Sequence, residues 1–184
     1  MNKAFALALI VFVFIADQLS KWAVMEYMIR PDLGGDFASH KLSFVEWISR
    51  ADGMLPFTSI EILPFFNIVM VWNKGVSFGL FNDVGDYGPI ALMVLSIFIV
   101  ALFLVWMFRT NSQLYLVAMP LIIGGALGNV LDRARFGAVV DFLDVHAFGF
   151  HWPAFNISDS AIVIGVFLLM AYSFFFETHE KNDT

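Results

Sequence analysis

Apolar residues arrive along this chain in long unbroken runs rather than in alternation. Ala4 to Ala16 contains no polar side chain, and Tyr87–Phe108, Asn111–Leu131 and Ser160–Phe176 contain no charged one. About 20 such residues, rising 1.5 Å each, cross ~30 Å of hydrocarbon as a helix. The pattern predicts spans at about 4–24, 87–108, 111–131 and 159–176, with segments at about 25–86 and 132–158 outside the membrane and one domain over 1–184. The first run follows Lys3 like a secretory signal peptide, but Phe14-Ile15-Ala16 leads into Asp17 without a small-x-small cleavage site, so it is expected to remain as a helix.

The polar positions share one end of this bundle. Four antiparallel spans bring together Asp17-Gln18-Leu19-Ser20-Lys21, Asn73-Lys74-Gly75, Gly128-Asn129-Val130-Leu131-Asp132-Arg133 and Asn156-Ile157-Ser158-Asp159-Ser160. Chemistry is expected there. Between the first two spans, Phe65–Phe81 is aromatic and β-branched around an Asn-Lys-Gly turn, which predicts a hairpin. Ahead of it, Leu42, Val45, Trp47, Ile48 and Ala51 read as an interfacial helix with Trp47 in the headgroup layer, or as an unstructured loop.

Composition agrees with the pattern and narrows the chemistry. At 184 residues, 60% hydrophobic and 14% charged, with 22 Phe, the chain is a membrane protein. It has no Cys, which removes thiol nucleophiles and thiolate metal sites. A net charge of −6 without a basic run argues against nucleic acid as a partner. Lys21, Arg30, Lys41, Arg50, Lys74, Arg133 and Arg135 lie on the polar side against Lys3, Arg109 and Lys181 opposite, a bias that taken alone puts the polar side in the cytoplasm.

Carboxylates at membrane depth are functional candidates by default, because a charge at the bilayer centre costs at least ~2.5–3.5 kcal/mol. Asp141 lies in Gly137–Leu143, read as a strand in which it shares a face with Val139 and Leu143 while Asp144 points away; apolar neighbours would keep it protonated. Asp159 opens the fourth span, where free amides favour its ionised form, and Asn156 or Ser158 as helix cap is the purely structural reading of that string. Asp132 stands at a helix C-terminus, electrostatically the wrong end, and needs a cation from Arg133, Arg135 or Lys21. Asp17 and Lys21 are spaced for an intrahelical pair. Asn129 is an interhelical hydrogen bonder or a site group, and Gly124, Gly125 and Gly128 allow close helix approach. His146 and His151 with Asp141 and Asp144 match no helical two-His metal motif, so no metal or other cofactor is expected. A Ser/Lys dyad from Ser20, Ser77, Ser158 or Ser160 with Lys21 or Lys74 is a second peptidase option.

The strings DQLSK, NKGVSFG, GGALGNVLDR, GAVVDF and PAFNISDS, in this order from Asp17 to the fourth span, resemble the motif boxes of the lipoprotein signal peptidase family, signal peptidase II, aspartic peptidase family A8. The resemblance implies an endopeptidase of the bacterial inner membrane that removes the signal peptide from diacylglyceryl-modified prolipoproteins, cleaving before the lipidated cysteine. It implies Asp141 and Asp159 as the catalytic carboxylates, with Asp17, Lys21, Asn73, Gly75, Asn129, Asp132, Arg133 and Asn156 binding substrate or supporting the site. It further implies an all-α membrane fold, a four-transmembrane-helix bundle with a small extracytoplasmic β-rich element. The site would face the periplasm with both termini cytoplasmic, contact membrane lipid, act as a monomer and be inhibited by globomycin. The Arg30–Ser59 stretch is longer than the family pattern leads one to expect.

Two carboxylates hydrolyse a peptide when one takes a proton from water and the other, protonated, polarises the carbonyl. The local settings suggest Asp159 as base and Asp141 as acid. The competing reading is a small proton-coupled transporter, which calls for acids near mid-span rather than at one end.

Overall fold

The computed structural model describes residues 2–50, 53–75 and 88–174. Helix α1, Lys3–Val24, is opened by Asn2, whose side chain accepts from the Phe5 amide at 3.0 Å. It does not stop at Val24. A π turn, Met25–Ile29, carries it into a short α2, Arg30–Leu33, so the first apolar helix is 31 residues long. In this wide turn the buried Glu26 holds Arg30 at 2.9 Å and accepts from the Leu42 amide at 2.9 Å, which folds the following chain back over the helix.

Among the described residues, three helices are long and apolar enough to cross a membrane: Lys3–Leu33, α5 at Gly88–Arg109 and α6 at Tyr115–Phe136. (Short helices α3, Gly35–Ser39, and α4, Phe44–Ser49, lie in the connection between α2 and α5.) The expected third span therefore begins and ends several residues later than 111–131. The fourth apolar helix, α7 at Ile157–Tyr172, has 16 residues and reaches about 24 Å, short of a full crossing as described.

Helix α6 is the hub, packed against α1, α5 and α7. Its glycines make this possible. A Cβ on Gly125 would stand 2.4 Å from the Ser158 carbonyl oxygen, and one on Gly128 would stand 2.6 Å from a carboxylate oxygen of Asp17. Apolar packing of Ala6, Ile10, Val100, Met107, Met119 and Ile123 closes the opposite end of the bundle.

Beyond α6 the chain changes geometry at Gly137, whose φ of +69° ends the helix and starts a strand. The expected small β-rich element stands beside the helices as an antiparallel sheet. A four-stranded antiparallel sheet runs in the order β1 (Ser59–Leu63), β2 (Phe66–Asn73), β3 (Val139–Ala147), β4 (Phe150–His151). The hairpin expected over Phe65–Phe81 falls only in part on the described residues. Its first half is β2, but β2 pairs with β1 on one edge and with β3 on the other, with Val71 opposite Asp141 and Asn73 opposite Val139. The second half, from Val76, lies outside the described residues.

One face of this sheet buries Ile68, Met70, Val140 and Phe142 against Met25, Ile29, Leu42, Trp47 and Leu55. Trp47 on α4 is therefore core, 1% exposed, and not in a headgroup layer. Its ring lies 4.1 Å from the Arg135 guanidinium, which also donates to the Trp47 and Arg50 carbonyls. The long Arg30–Ser59 stretch is thus tied to the back of the sheet.

Candidate active site

Asp141 sits near the start of β3, 1% exposed, with an amide donor on each carboxylate oxygen. Asn156 Nδ2 donates to Oδ1 at 2.7 Å and Asn73 Nδ2 donates to Oδ2 at 2.9 Å. Asn73 is itself aimed by the Gly75 amide, which donates to its Oδ1 at 2.7 Å. Burial pushes the Asp141 carboxyl up to about 7, and the negative charge of Asp159 adds to the effect.

Asp159 stands in the first turn of α7. Asn156 caps that helix by accepting from the Asp159 amide at 2.9 Å, and the Asp159 carboxylate accepts from the Asn156 amide at 3.2 Å, a reciprocal capping box. The other Asp159 oxygen accepts from Asn129 Nδ2 at 2.8 Å. Capping and site assembly are the same contacts: Asn156 ends up joining the helix start to Asp141, and its Nδ2 also faces the Asn129 side chain at 3.3 Å. Arg133, one turn beyond Asn129, acts through its charge on Asp159, Asp141 and Asp132.

A second polar cluster lies beneath this pair. Lys21 bridges Asp17 at 2.7 Å and Asp132 at 2.8 Å, and all three side chains have no exposed surface. Of the cations open to Asp132, Lys21 is the one engaged; Arg135 turns to Trp47 instead. Gln18, which the sequence reading passed over, donates to Asp17 at 3.1 Å and to Asp132 at 3.0 Å. Its position inside DQLSK, adjacent to Asp17, was the available signal. The cluster reaches the backbone on either side of the carboxylate pair, since Asp132 accepts from the Val140 amide at 3.1 Å and Asp17 accepts from the Ser158 amide at 2.9 Å.

Two alternatives look different in three dimensions. Lys21 is committed to two carboxylates and the Ser20 hydroxyl donates to the Asp17 carbonyl, so neither forms a Ser/Lys pair; Ser77 lies outside the described residues. Asp144 points away from Asp141, accepting from Asn67 at 2.8 Å and pairing with His151 at 2.9 Å, while His146 stacks on His151 at 4.6 Å between ring centres. Among the described residues no group of three His, Asp or Glu is disposed to hold a metal ion.

Fold and site together define a class: an integral membrane protein with a pair of amide-bound carboxylates at one end of its helices, one on a strand and one on a helix start. Residues 9–175 match the family described as signal peptidase (SPase) II, Peptidase_A8, and the chain belongs to that family. It is 50% identical over 106 residues to a lipoprotein signal peptidase of Methylorubrum extorquens, covering 58% of this chain and 62% of that protein. It is 44% identical over 128 residues to one of Pelagibacter ubique, covering 67% and 75%. The chain thus spans less than two thirds of the Methylorubrum relative's length. In three dimensions it resembles a bacterial membrane enzyme solved by the in meso method at 1.9 Å, with a TM-score of 0.66, 29% identity and 91% of each chain covered.

Proposed function

We propose that this protein is a membrane aspartic endopeptidase that removes the signal peptide from diacylglyceryl-modified prolipoproteins, with Asp141 and Asp159 as the catalytic pair. The observation that carries the reading is the double role of Asn156: one side chain caps the helix that bears Asp159 and donates to Asp141. The hydrogen-bond donors on the two carboxylates are neutral amides, which leaves a proton free to be shared.

The chemistry follows from the settings. Asp141, buried and pushed up to about 7, is protonated in a large fraction of molecules at neutral pH, and in that form donates its proton toward the scissile carbonyl oxygen. Asp159 accepts a proton from the attacking water while its amide partners hold it in place. The tetrahedral intermediate then collapses with proton return to the leaving amine. Arg133 lends positive charge near both groups, and Asn73, Gly75 and Asn129 fix the carboxylate rotamers.

Placement at a bundle end suits a substrate whose acyl chains stay in lipid while its peptide bond meets water. The transporter reading is not supported by the relatives described above, and neither α5 nor the middle of α6 or α7 carries an acid. In our reading α7 completes a fourth crossing, the protein is a monomer in the bacterial inner membrane with both termini cytoplasmic, and the site faces the periplasm. The contrary charge bias is discounted because Lys21 is consumed by Asp17 and Asp132, and Arg30 by Glu26. Globomycin is the expected inhibitor.

Purified protein is expected to cleave a diacylglyceryl-modified precursor, to process the unmodified precursor poorly, and to lose turnover as Asp141→Asn or Asp159→Asn. Full activity in either variant would refute the pair.

A further inference from the structure

Asn156 joins the two carboxylates, so whatever fixes the chain in front of it also fixes the pair. That chain is a strap, residues 152–155, which follows β4 and runs straight into the cap of α7. Its backbone returns along β3: the Trp152 amide donates to the Val145 carbonyl at 2.9 Å, and Phe155 and Leu143 exchange hydrogen bonds at 2.9 and 3.0 Å. Between these points Pro153 has no N–H to offer. Pro153 and Ala154 line the opening beside Asp141 and also the one beside Asp159, so a shift of the strap reaches both carboxylates.

The hairpin that delivers the strap is weak in its backbone. Strand β4 has two residues, His151 paired with His146 and Phe150 with Ala147. Its turn places Phe148 at φ +52° and Gly149 at +78°, a left-handed region that suits glycine and asparagine and disfavours a bulky side chain. Phe148 is fully exposed there and gains no packing in return.

Side chains supply the missing hold. Asp144, 6% exposed, lies directly across from Asn67 in the register of β2 and β3 and accepts from its Nδ2 at 2.8 Å. The same carboxylate accepts from His151 Nδ1, at 2.9 Å on one oxygen and 3.0 Å on the other. One buried acid thus ties β2, β3 and β4 together just ahead of Asn156. The His151 ring stacks on His146 with 4.6 Å between centres and 23° between planes, which limits its rotation. Facing a carboxylate, Nδ1 carries its proton in both the neutral and the charged ring, so the latch holds throughout the range in which Asp141 titrates.

We propose that His151 is a positioning residue for the carboxylate pair: latched to Asp144 and Asn67, it sets the register of the strap against β3 and with it the reach of Asn156 Nδ2 to Asp141. This rests on the peptidase reading above. The Asn156 hydrogen bond to Asp141, 2.7 Å long, favours the charged carboxylate, so loosening the latch lets Asp141 keep its proton to higher pH.

The test follows cleavage of a diacylglyceryl-modified precursor against pH by wild type, His151→Phe and His151→Asn. His151→Phe keeps a ring to stack on His146 and removes the donor. His151→Asn removes the ring but puts an amide nitrogen where Nδ1 stood. For His151→Phe we expect kcat to fall by about tenfold and the limb of the profile near 7 to move up by about half a pH unit. His151→Asn should return the limb to its wild-type position and recover most of the rate. Asp144→Asn loosens the same latch from its buried end; it should move rate and limb in the same directions, and it carries the test if His151→Phe does not fold. Wild-type rate and limb in folded His151→Phe or Asp144→Asn would overturn the assignment. A loss of rate with the limb in place would also overturn it, by marking a general weakening of the sheet, as would equal losses in His151→Phe and His151→Asn. Failure of the peptidase reading looks different, because Asp141→Asn and Asp159→Asn would then cleave the precursor as wild type does.

Discussion

Two acidic clusters lie within a few residues of each other in this bundle, and their partners differ in kind. Asp17 and Asp132 share a buried ammonium at 2.7 and 2.8 Å, whereas Asp141 and Asp159 are held by the side-chain amides of Asn73, Asn156 and Asn129. A cation in contact favours the charged form of a carboxylate. Amide donors orient a carboxylate without deciding its protonation as firmly. The first cluster is thus built to hold charge still and the second to let a proton move, and the first steadies the second through the Val140 and Ser158 amides.

The largest expected effect separates the clusters by activity. Asp141→Asn and Asp159→Asn keep the shape but turn one accepting oxygen into an NH2 group that faces an N–H donor, and they remove the proton acceptor or donor, so turnover should fall by about 10³-fold or more. Asp132→Asn leaves Asp141 and Asp159 in place and should retain measurable turnover. Equal losses in all three, measured on folded protein, would erase the distinction drawn between the clusters.

Lys21→Met is the matching stability experiment. It strands two buried carboxylates, and breaking a buried pair by removing one partner typically costs about 3–5 kcal/mol. The thermal midpoint in detergent should drop sharply, and Lys21→Met combined with Asp17→Asn and Asp132→Asn should recover much of the loss. A further drop in the triple variant would mean that the charges themselves, rather than their mutual compensation, hold the helices together.

How much of this was open to the sequence depends on the range of the contacts. The apolar runs announced the helices, and Asp132 at a helix C-terminus announced its need for a cation, because both follow from local physics. Asp159 and Asn156 were legible as a cap for the same reason. Partners brought from afar were not legible: Trp47 looked interfacial until Arg135, 88 residues on, covered it. The strand Phe66–Asn73 was visible, but its pairing with β3 joins residues some 70 positions apart. Asn67, a polar residue inside an aromatic and β-branched run, was a signal for the Asp144–His151 anchor that only the sheet register makes meaningful.

Stability against pH distinguishes the clusters again, with a sign that can be worked out. Asp141 holds its proton to about 7 in the native state but loses it near its ordinary value of 3.8 once unfolded. Between those values unfolding is favoured increasingly as pH rises, and above 7 the cost levels off at about 4 kcal/mol, at 1.36 kcal/mol per pH unit. Asp141→Asn removes this cost. It should raise the thermal midpoint at pH 8 and leave it nearly unchanged at pH 4. A gain of equal size at both would show that burial is not what the carboxyl suffers from.

The smallest effect sharpens the division of roles. Asn73 donates to Asp141 at 2.9 Å and so favours its charged form, pulling against burial. Asn73→Ala removes that pull and should raise the Asp141 carboxyl further; a hydrogen bond to a charged group contributes about 1.5 kcal/mol, which corresponds to about one pH unit at most. If Asp141 acts protonated, kcat/KM falls as pH rises through about 7 in wild type, and in Asn73→Ala this alkaline limb moves upward, with the maximum rate lowered by the looser carboxylate. If Asp141 were instead the base, the same substitution would shift the acidic limb upward and leave the alkaline one in place. The direction in which one limb of a pH profile moves therefore assigns the proton within the pair.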